Sequence, residues 1–324
     1  MRIVVKIGTS TLAHPGGRLN IRHTEALVKV WSDIKNAGHE LIIVSSGATG
    51  LGVGKLQISR PKDMVTKQAA AAVGQCELMY TYDKLFAEYS HTVAQLLVTW
   101  EDFDHPHRLD NLQNTLERLI QLGAVPVINE NDPISTEEYS LGDNDRLGAL
   151  IAKYTHADLL VLLSDIDGLY TADPHTHPEA TLIHRVESVT PEIEQLGGGS
   201  SSGLGTGGMS AKLTAAKIAT GAGVDMVIAN GANANVLYDI VDGKDVGTRF
   251  VGKNNKIIQE VVCIKGNTPI EADNHSGDIN SVIIYSKNIL KLNTIDDDGR
   301  YSTISDMPEA ERKDYYIQFK VLIF

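Results

Sequence analysis

Short runs of apolar residues alternate along the chain with longer stretches in which apolar residues recur every three or four positions. The short runs are rich in leucine and β-branched residues and are almost continuously apolar, which is typical of strands covered on both faces. Six such runs predict strands: Ile3–Ile7, Leu41–Val44, Val93–Val98, Val125–Ile128, Leu159–Leu163 and Met226–Ala229.

The longer stretches predict helices between these strands. In Arg108–Leu122 the leucines fall at helical spacing and Gly123 follows as a stop signal. The five predicted helices are Ile21–Ala37, Lys62–Tyr89, Arg108–Leu122, Asn144–Tyr154 and Ser210–Ala222. This alternation predicts an α/β protein with a three-layer α/β/α sandwich around a mainly parallel central sheet.

The last part of the chain has a different pattern. Residues 253–324 show few helical periods, contain an acidic run at Asp296–Asp298, and include three strand-like pieces, Ile257–Ile264, Ser281–Tyr285 and Ile317–Phe324. We therefore expect a main domain over residues 1–252 and a small β-rich appendage of unknown type over residues 253–324.

Small or polar residues follow four of the predicted strands. They are Gly8, Thr9 and Ser10; Ser45, Ser46 and Gly47; Asn129, Glu130, Asn131 and Asp132; and Ser164 and Asp165. Each group by itself is compatible with an ordinary turn, because these residue types favour turns. In parallel sheets, however, ligands bind beyond the carboxyl ends of the strands, so four such groups together favour one shared site.

The segment Gly197–Lys212, GGGSSSGLGTGGMSAK, has the composition of a phosphate-binding loop. Glycines let backbone N–H groups approach an anion, and the alanine-rich run that follows supplies a helix N-terminus. A flexible Gly/Ser linker is the alternative. The segment lacks the Gly-Lys-Ser/Thr ending of a Walker A loop, so phosphate binding here must follow another plan.

Two lysines and an acidic turn have the chemistry that phosphoryl transfer requires. Lys6 lies inside the first apolar strand, and Lys212 is expected in the first helical turn after the glycine-rich loop. Both could instead be surface lysines. Gly142–Asp145 places two carboxylates around Asn144 at a helix start, where they could orient the lysines or simply cap the helix.

Composition narrows the class of protein. The 324 residues carry 29 Lys and Arg against 41 Asp and Glu, a formal charge of −12, which argues against a nucleic acid or membrane surface as the main partner. Two cysteines suit a reducing compartment, and no apolar run approaches a membrane span, so a cytoplasmic protein is expected. The pairs His105/His107 and His175/His177 are interpreted as surface histidines, and no residue is assigned to a metal.

Six segments, in this order, resemble the glutamate 5-kinases of the amino-acid kinase family. They are VVKIGTS (Val4–Ser10), SSGA (Ser45–Ala48), VPVINENDP (Val125–Pro133), GDND (Gly142–Asp145), LYTADP (Leu169–Pro174) and GTGGMSAK (Gly205–Lys212). The resemblance covers roughly Arg2 to Gly252. Many members continue into a PUA domain, whose usual glycine-bearing strands cannot be matched to residues 253–324.

The resemblance implies an enzyme that transfers the γ-phosphoryl group of MgATP to the side-chain carboxylate of L-glutamate, the first step of proline biosynthesis. It assigns catalysis to Lys6, Lys212 and Asp145. It assigns ATP binding to Lys6, Gly8, Ser164, Asp165, Thr206, Gly207, Gly208, Met209, Ser210, Ala211 and Lys212. It assigns glutamate binding to Ser46, Asp132 and Asn144, with Asn129 as a further candidate.

The resemblance also implies feedback inhibition by proline and assembly into a dimer or tetramer. Within the enzyme class, a kinase acting on acetylglutamate, aspartate or carbamate is the alternative. From another class, the chain could be a nucleotide or proline sensor that has lost catalysis, although the presence of both lysines with Asp145 argues against this.

Overall fold

A computed structural model describes residues 1–135, 144–174, 176–198 and 208–253, together with the backbone of five strands between residues 258 and 322. The chain divides into two compact units, Met1–Lys253 and Asn254–Phe324.

The first unit is built around one eight-stranded sheet. Its strands are β1 (Arg2–Ile7), β2 (Glu40–Ser45), β3 (Val93–Val98), β4 (Val125–Glu130), β5 (Leu159–Ser164), β6 (Arg185–Val186), β7 (Asp225–Asn230) and β8 (Thr248–Phe250). Their order is β3-β4-β2-β1-β5-β7-β8-β6, and all neighbours are parallel except β7 and β8. The six predicted strands and the mainly parallel sheet are confirmed, whereas the short strands β6 and β8 were not predicted.

Helices flank this sheet. They are α1 (Thr9–Leu12), α2 (Ile21–Asn36), α3 (Ala48–Leu56), α4 (Met64–Ala87), α5 (Trp100–Asp104), α6 (Pro106–Gln121), α7 (Asn144–Tyr154), α8 (Pro191–Leu196), α9 (Met209–Gly221) and α10 (Val236–Val241). The five predicted helices are confirmed. Local signals set several of their ends: the side chain of Asp63 accepts a hydrogen bond from the N–H of Thr66 at the start of α4, and Gly123, at φ 78°, follows α6.

Helix α3 was not predicted, because Gly50, Gly52 and Gly54 lower its helix propensity. Tertiary packing requires glycine here. A Cβ atom on Gly52 would lie 1.7 Å from the carbonyl oxygen of Ala70 in α4, so the two helix backbones are in direct contact. The same close approach occurs from the other side, at Gly74 of α4.

Alternate side chains of the central strands β1, β2, β5 and β7 enter two separate hydrophobic cores, which makes three layers. In β1, Val4 packs in the core formed with α6, α7 and α9, whereas Ile3 and Val5 pack in the core formed with α2 and α4. The period of two along a strand produces this division. It also directs Lys6, two residues after Val4, toward the α7 and α9 side.

In the second unit, the described strands form two small sheets. Strand β13 (Tyr315–Leu322) pairs antiparallel with β9 (Ile258–Lys265) and β10 (Ser281–Ile283), and β11 (Asn293–Ile295) pairs with β12 (Tyr301–Thr303). Each of the three predicted strand-like pieces overlaps one of these strands. Among the residues that the structure describes, no helix has the length and apolar character needed to cross a membrane.

Candidate active site

The carboxyl ends of β1, β2, β4 and β5 meet at one edge of the sheet. In the paired registers Ile7 of β1 lies beside Ser45 of β2 and Leu163 of β5, so the residues that follow these strands start at the same level. The backbone N–H of Ser46 donates to the carbonyl oxygen of Ile7, which ties two of the strand ends together. The polar groups predicted from four separate segments therefore share one edge.

A buried carboxylate joins the two predicted lysines at this edge. The Nζ atom of Lys6 lies 2.6 Å from Oδ1 of Asp145, and Nζ of Lys212 lies 2.9 Å from Oδ2. The Asp145 side chain is fully buried and those of Lys6 and Lys212 nearly so. Lys6 reaches Asp145 from the strand, Asp145 lies in the first turn of α7, and Lys212 lies in the first turn of α9.

These contacts determine the charge of Asp145. Burial by itself raises the pKa of Asp145. The charges of Lys6 and Lys212 and their hydrogen bonds lower it by more than burial raises it, so the pKa lies below its ordinary value. The carboxylate is ionised and holds the ammonium groups of Lys6 and Lys212 together in a site largely closed to solvent. Two lysine side chains that converge in this way can contact an anionic ligand.

Neutral side chains form a second cluster next to Asp145. The Nδ2 atom of Asn144 lies 2.8 Å from Oγ of Ser46 and 2.8 Å from Oδ1 of Asn129. The three residues come from α7, from the turn after β2 and from β4. The structure thus brings together the predicted substrate residues Ser46, Asn129 and Asn144.

The fourth predicted substrate residue, Asp132, follows β4 and is half-buried. Burial, with the nearby charge of Glu130, raises the pKa of Asp132 to about 6. A carboxylate that is partly desolvated and lies beside another carboxylate favours an ammonium partner. Glu130 itself is buried and accepts a hydrogen bond from the hydroxyl of Ser135.

The groups predicted for ATP lie on the β5 and α9 side of the edge. Gly8 lies so close to Lys6 that an added Cβ atom would be 3.8 Å from its Nζ. The hydroxyl of Ser164 donates to Oδ1 of Asp165 directly after β5. Helix α9 starts after Gly208 with no side-chain cap, and Met209, Ser210, Ala211 and Lys212 form its first turn. Free N–H groups at such a helix start bind phosphate oxygens.

Part of the predicted site lies outside the described residues. This applies to Thr206 and Gly207 of the ATP-binding loop, to Gly142 and Asp143 of the GDND segment, and to most of the Gly/Ser stretch before Gly208. His175 also falls there. Within the described ranges, no three His, Cys, Asp or Glu side chains converge to hold a metal ion.

Sequence reasoning missed Gln75 of α4. Its Oε1 atom accepts a hydrogen bond of 2.9 Å from Nδ2 of Asn129, and the residue is only 6% exposed. A signal was present in the sequence: Gln75 occupies a position of the apolar stripe Ala71, Gly74, Leu78 and Tyr82, where a long polar side chain requires a partner.

Comparisons with known proteins identify the family of this chain. The profile of the amino acid kinase family matches residues 1–230. The glutamate 5-kinase of Clostridium perfringens is 48% identical over 260 residues, covering 79% of this chain and 97% of that protein. That of Clostridium tetani is 51% identical over 249 residues, covering 76% and 93%. A third, from Caldanaerobacter subterraneus, is 43% identical over 304 residues, covering 93% of this chain and 82% of that protein. This alignment extends into residues 253–324.

Solved structures support the fold. The UMP kinase of Bacillus anthracis aligns with a TM-score of 0.57 at 16% identity, over 78% of this chain and 96% of that one. The carbamate kinase of Giardia lamblia bound to AMP-PNP aligns with a TM-score of 0.57 at 16% identity, over 77% and 98%.

Proposed function

Because the chain belongs to the glutamate 5-kinases of the amino acid kinase family, we propose that it transfers the γ-phosphoryl group of ATP to the side-chain carboxylate of L-glutamate. The products are ADP and glutamyl 5-phosphate, the first intermediate of proline biosynthesis. The observation that carries this proposal is the buried Lys6–Asp145–Lys212 cluster, in which two lysines converge on one carboxylate beside a neutral amide cluster.

The lysines act on the phosphoryl group. An oxygen of the glutamate γ-carboxylate bonds to the γ-phosphorus while the bond from phosphorus to the bridging oxygen of ADP breaks. Negative charge accumulates on the transferring and leaving oxygens, and Lys6 and Lys212 compensate it. Asp145 holds both ammonium groups in position. A γ-carboxylate is already ionised at pH 7, so the reaction requires no general base.

Glutamate lies between the lysines and Asp132. Its γ-carboxylate faces the lysine cluster, and Asp132 pairs with its α-ammonium group. Ser46, Asn129 and Asn144 are neutral, so they position glutamate without repelling its carboxylates. This placement is supported by the direct contact of Asn144 with both Ser46 and Asn129 and by its position one residue before Asp145.

ATP occupies the side formed by Ser164, Asp165, Gly8 and the first turn of α9. Mg²⁺ usually binds nucleotide phosphates with one or two carboxylates, and it supplies further charge compensation. We assign it to the nucleotide, because Asp145 is held by two lysines and the described residues contain no metal cluster. We further propose a cytoplasmic homo-oligomer, dimeric or tetrameric, that proline inhibits.

Release of ADP with and without glutamate tests the function, with hydroxylamine to trap the acyl phosphate. We expect turnover that depends on glutamate and is much weaker with acetylglutamate, aspartate or carbamate. Tight ATP binding without glutamate-dependent turnover would instead indicate a sensor. The same assay with added proline tests the proposed inhibition.

Asp132→Asn should raise the KM for glutamate about tenfold or more at pH 8, since a charged hydrogen bond to the α-ammonium contributes roughly 1.5–3 kcal/mol. In the unsubstituted protein, KM should also rise as pH falls through about 6, because Asp132 becomes protonated and neutral. The variant should lack this rise. Steady-state kinetics from pH 5.5 to 8.5 measure both effects.

Asp132→Asn should weaken glutamate binding but should not lower the stability of the fold. Because the pKa of Asp132 is raised on folding, the folded state binds more protons than the unfolded state between about pH 3.8 and 6. Ionisation of Asp132 therefore lowers the free energy of unfolding as pH rises through that window. Above pH 6, Asp132→Asn should therefore be at least as stable as the unsubstituted protein. Asp83→Asn, on the exposed face of α4, is the control for stability.

In the kinetic experiment, a change of kcat in Asp132→Asn with an unchanged KM for glutamate would contradict the pairing of Asp132 with the α-ammonium group.

A further inference from the structure

Gln75 lies at the end of a directed chain of side-chain amides. Asn144 donates from Nδ2 to Oδ1 of Asn129, and Asn129 donates from Nδ2 to Oε1 of Gln75. The side-chain oxygens of Asn129 and Gln75 thus each accept from the preceding amide in this chain. The Nε2 group of Gln75 is therefore the last donor in the chain.

That last donor has no hydrogen-bond partner within the described part of the chain. The Nε2 atom of Gln75 is buried as well. Buried donors without a partner are rare, because water no longer compensates them. Methionine or leucine would fill the same apolar stripe of α4 without such a group.

The position of Gln75 identifies the part of the substrate that it faces. The amide chain starts at Asn144, next to Asp145, and continues to Asn129 and Gln75. Asn129 lies on β4, which β2 separates from β1, the strand of Lys6. Asp132, the proposed partner of the α-ammonium group, follows the same strand, β4, as Asn129. Gln75 thus lies toward the α-end of glutamate, away from the carboxylate that is phosphorylated.

Charge limits what can bind the α-carboxylate at this end. Glu130 and Asp132 are carboxylates and repel it, whereas an amide N–H can donate a hydrogen bond to it. The Nδ2 group of Asn129 uses one of its hydrogens to donate to Gln75. The Nε2 group of Gln75 donates to no described residue, so it is available for the α-carboxylate.

We propose that Gln75 is a specificity-determining residue for glutamate: its Oε1 fixes the orientation of Asn129, and its Nε2 donates a hydrogen bond to the substrate α-carboxylate. This inference rests on the proposed function and deepens it, since it names the group that recognises the α-end of the acceptor. It is a contact of substrate binding, not of phosphoryl transfer.

The test compares Gln75→Met, which removes donor and acceptor, with Gln75→Glu, which keeps an acceptor for Asn129 but loses the donor. Both should raise the KM for glutamate about tenfold or more, while kcat and the KM for ATP stay within about twofold. Gln75→Glu should be at least as impaired as Gln75→Met, because its charge repels the α-carboxylate. The thermal stabilisation produced by saturating glutamate should shrink in both variants.

Gln113→Met is the matched control. Gln113 is a half-buried helical glutamine on α6 whose amide donates to the carbonyl oxygen of Tyr154, away from the site. It should retain the KM for glutamate of the unsubstituted protein. This control separates the loss of a hydrogen-bonded helical glutamine from the loss of a substrate contact.

The outcomes distinguish the possible failures. An unchanged KM in Gln75→Met overturns the inference. A normal KM in Gln75→Glu with a raised KM in Gln75→Met shows that Gln75 acts only through Asn129, which overturns the donor role. If the unsubstituted protein has no glutamate-dependent turnover, the proposed function fails, and this inference fails with it.

Discussion

Replacing Lys212 by alanine is expected to lower kcat by about 10²- to 10³-fold while leaving the KM for glutamate roughly unchanged. The Nζ atom of Lys212 lies in a nearly closed site, 2.9 Å from Oδ2 of Asp145. Charge that develops on the phosphoryl oxygens is weakly screened there. The interaction of Lys212 therefore strengthens most in the transition state, and its loss appears in turnover. Initial rates at saturating ATP, with glutamate varied, measure both constants.

Lys217→Ala is the control for this prediction. Lys217 lies on the same helix, α9, but is half exposed and pairs with Glu194 on the surface. We expect kcat within about twofold of the unsubstituted protein, since exposed ion pairs contribute little. If Lys212→Ala retained its turnover number, the assignment of the two-lysine cluster to phosphoryl transfer would be wrong.

Replacing Asp145 by asparagine is expected to lower the free energy of unfolding by about 3–5 kcal/mol and to reduce turnover strongly. The substitution leaves the buried ammonium groups of Lys6 and Lys212 facing each other without the carboxylate between them. Urea unfolding at pH 7.5 measures the loss. A polyphosphate should compensate part of it, so added ATP should raise the unfolding temperature of the variant more than that of the unsubstituted protein.

The pH dependence of stability provides a further check on Asp145. Its pKa lies below the ordinary value near 3.8, so its ion pairs contribute fully above that value and are lost as pH falls below it. Asp145→Asn should lack this acid-induced loss. Asp239→Asn removes an exposed ion pair with Lys244 and serves as control, with an expected change below about 1 kcal/mol. Equal losses in the two variants would contradict the buried role of Asp145.

Hydrophobic patterning was sufficient to predict most of the fold. The long apolar runs and the helical periods are local properties, and a strand covered on both faces must be apolar whatever its neighbours are. Patterning failed for α3, whose glycines oppose helix formation locally. Those glycines are explained only by the contact with α4, where a Cβ atom on Gly52 would collide with the carbonyl of Ala70.

The candidate site was predicted in parts. Lys6 and Lys212 were identified because a lysine in an apolar strand and one after a glycine-rich loop are each unusual. Their shared contact with Asp145 joins residues far apart along the chain, and local signals cannot give such a distance. Gln75 was missed because its role depends on Asn129, which lies 54 positions further along the chain.

By itself, the sequence determined which residues lie at the carboxyl edge of the sheet. The apolar runs identify the strands, and the residues that follow parallel strands lie at the same edge. Only the tertiary structure decided which of them touch. The side of the sheet that each strand residue faces, the close packing of α3 on α4, and the burial of one carboxylate between two lysines all arise from contacts between distant segments. Burial is the physical reason: it strengthens charge interactions and penalises unpaired polar groups, and neither effect exists until the chain has folded.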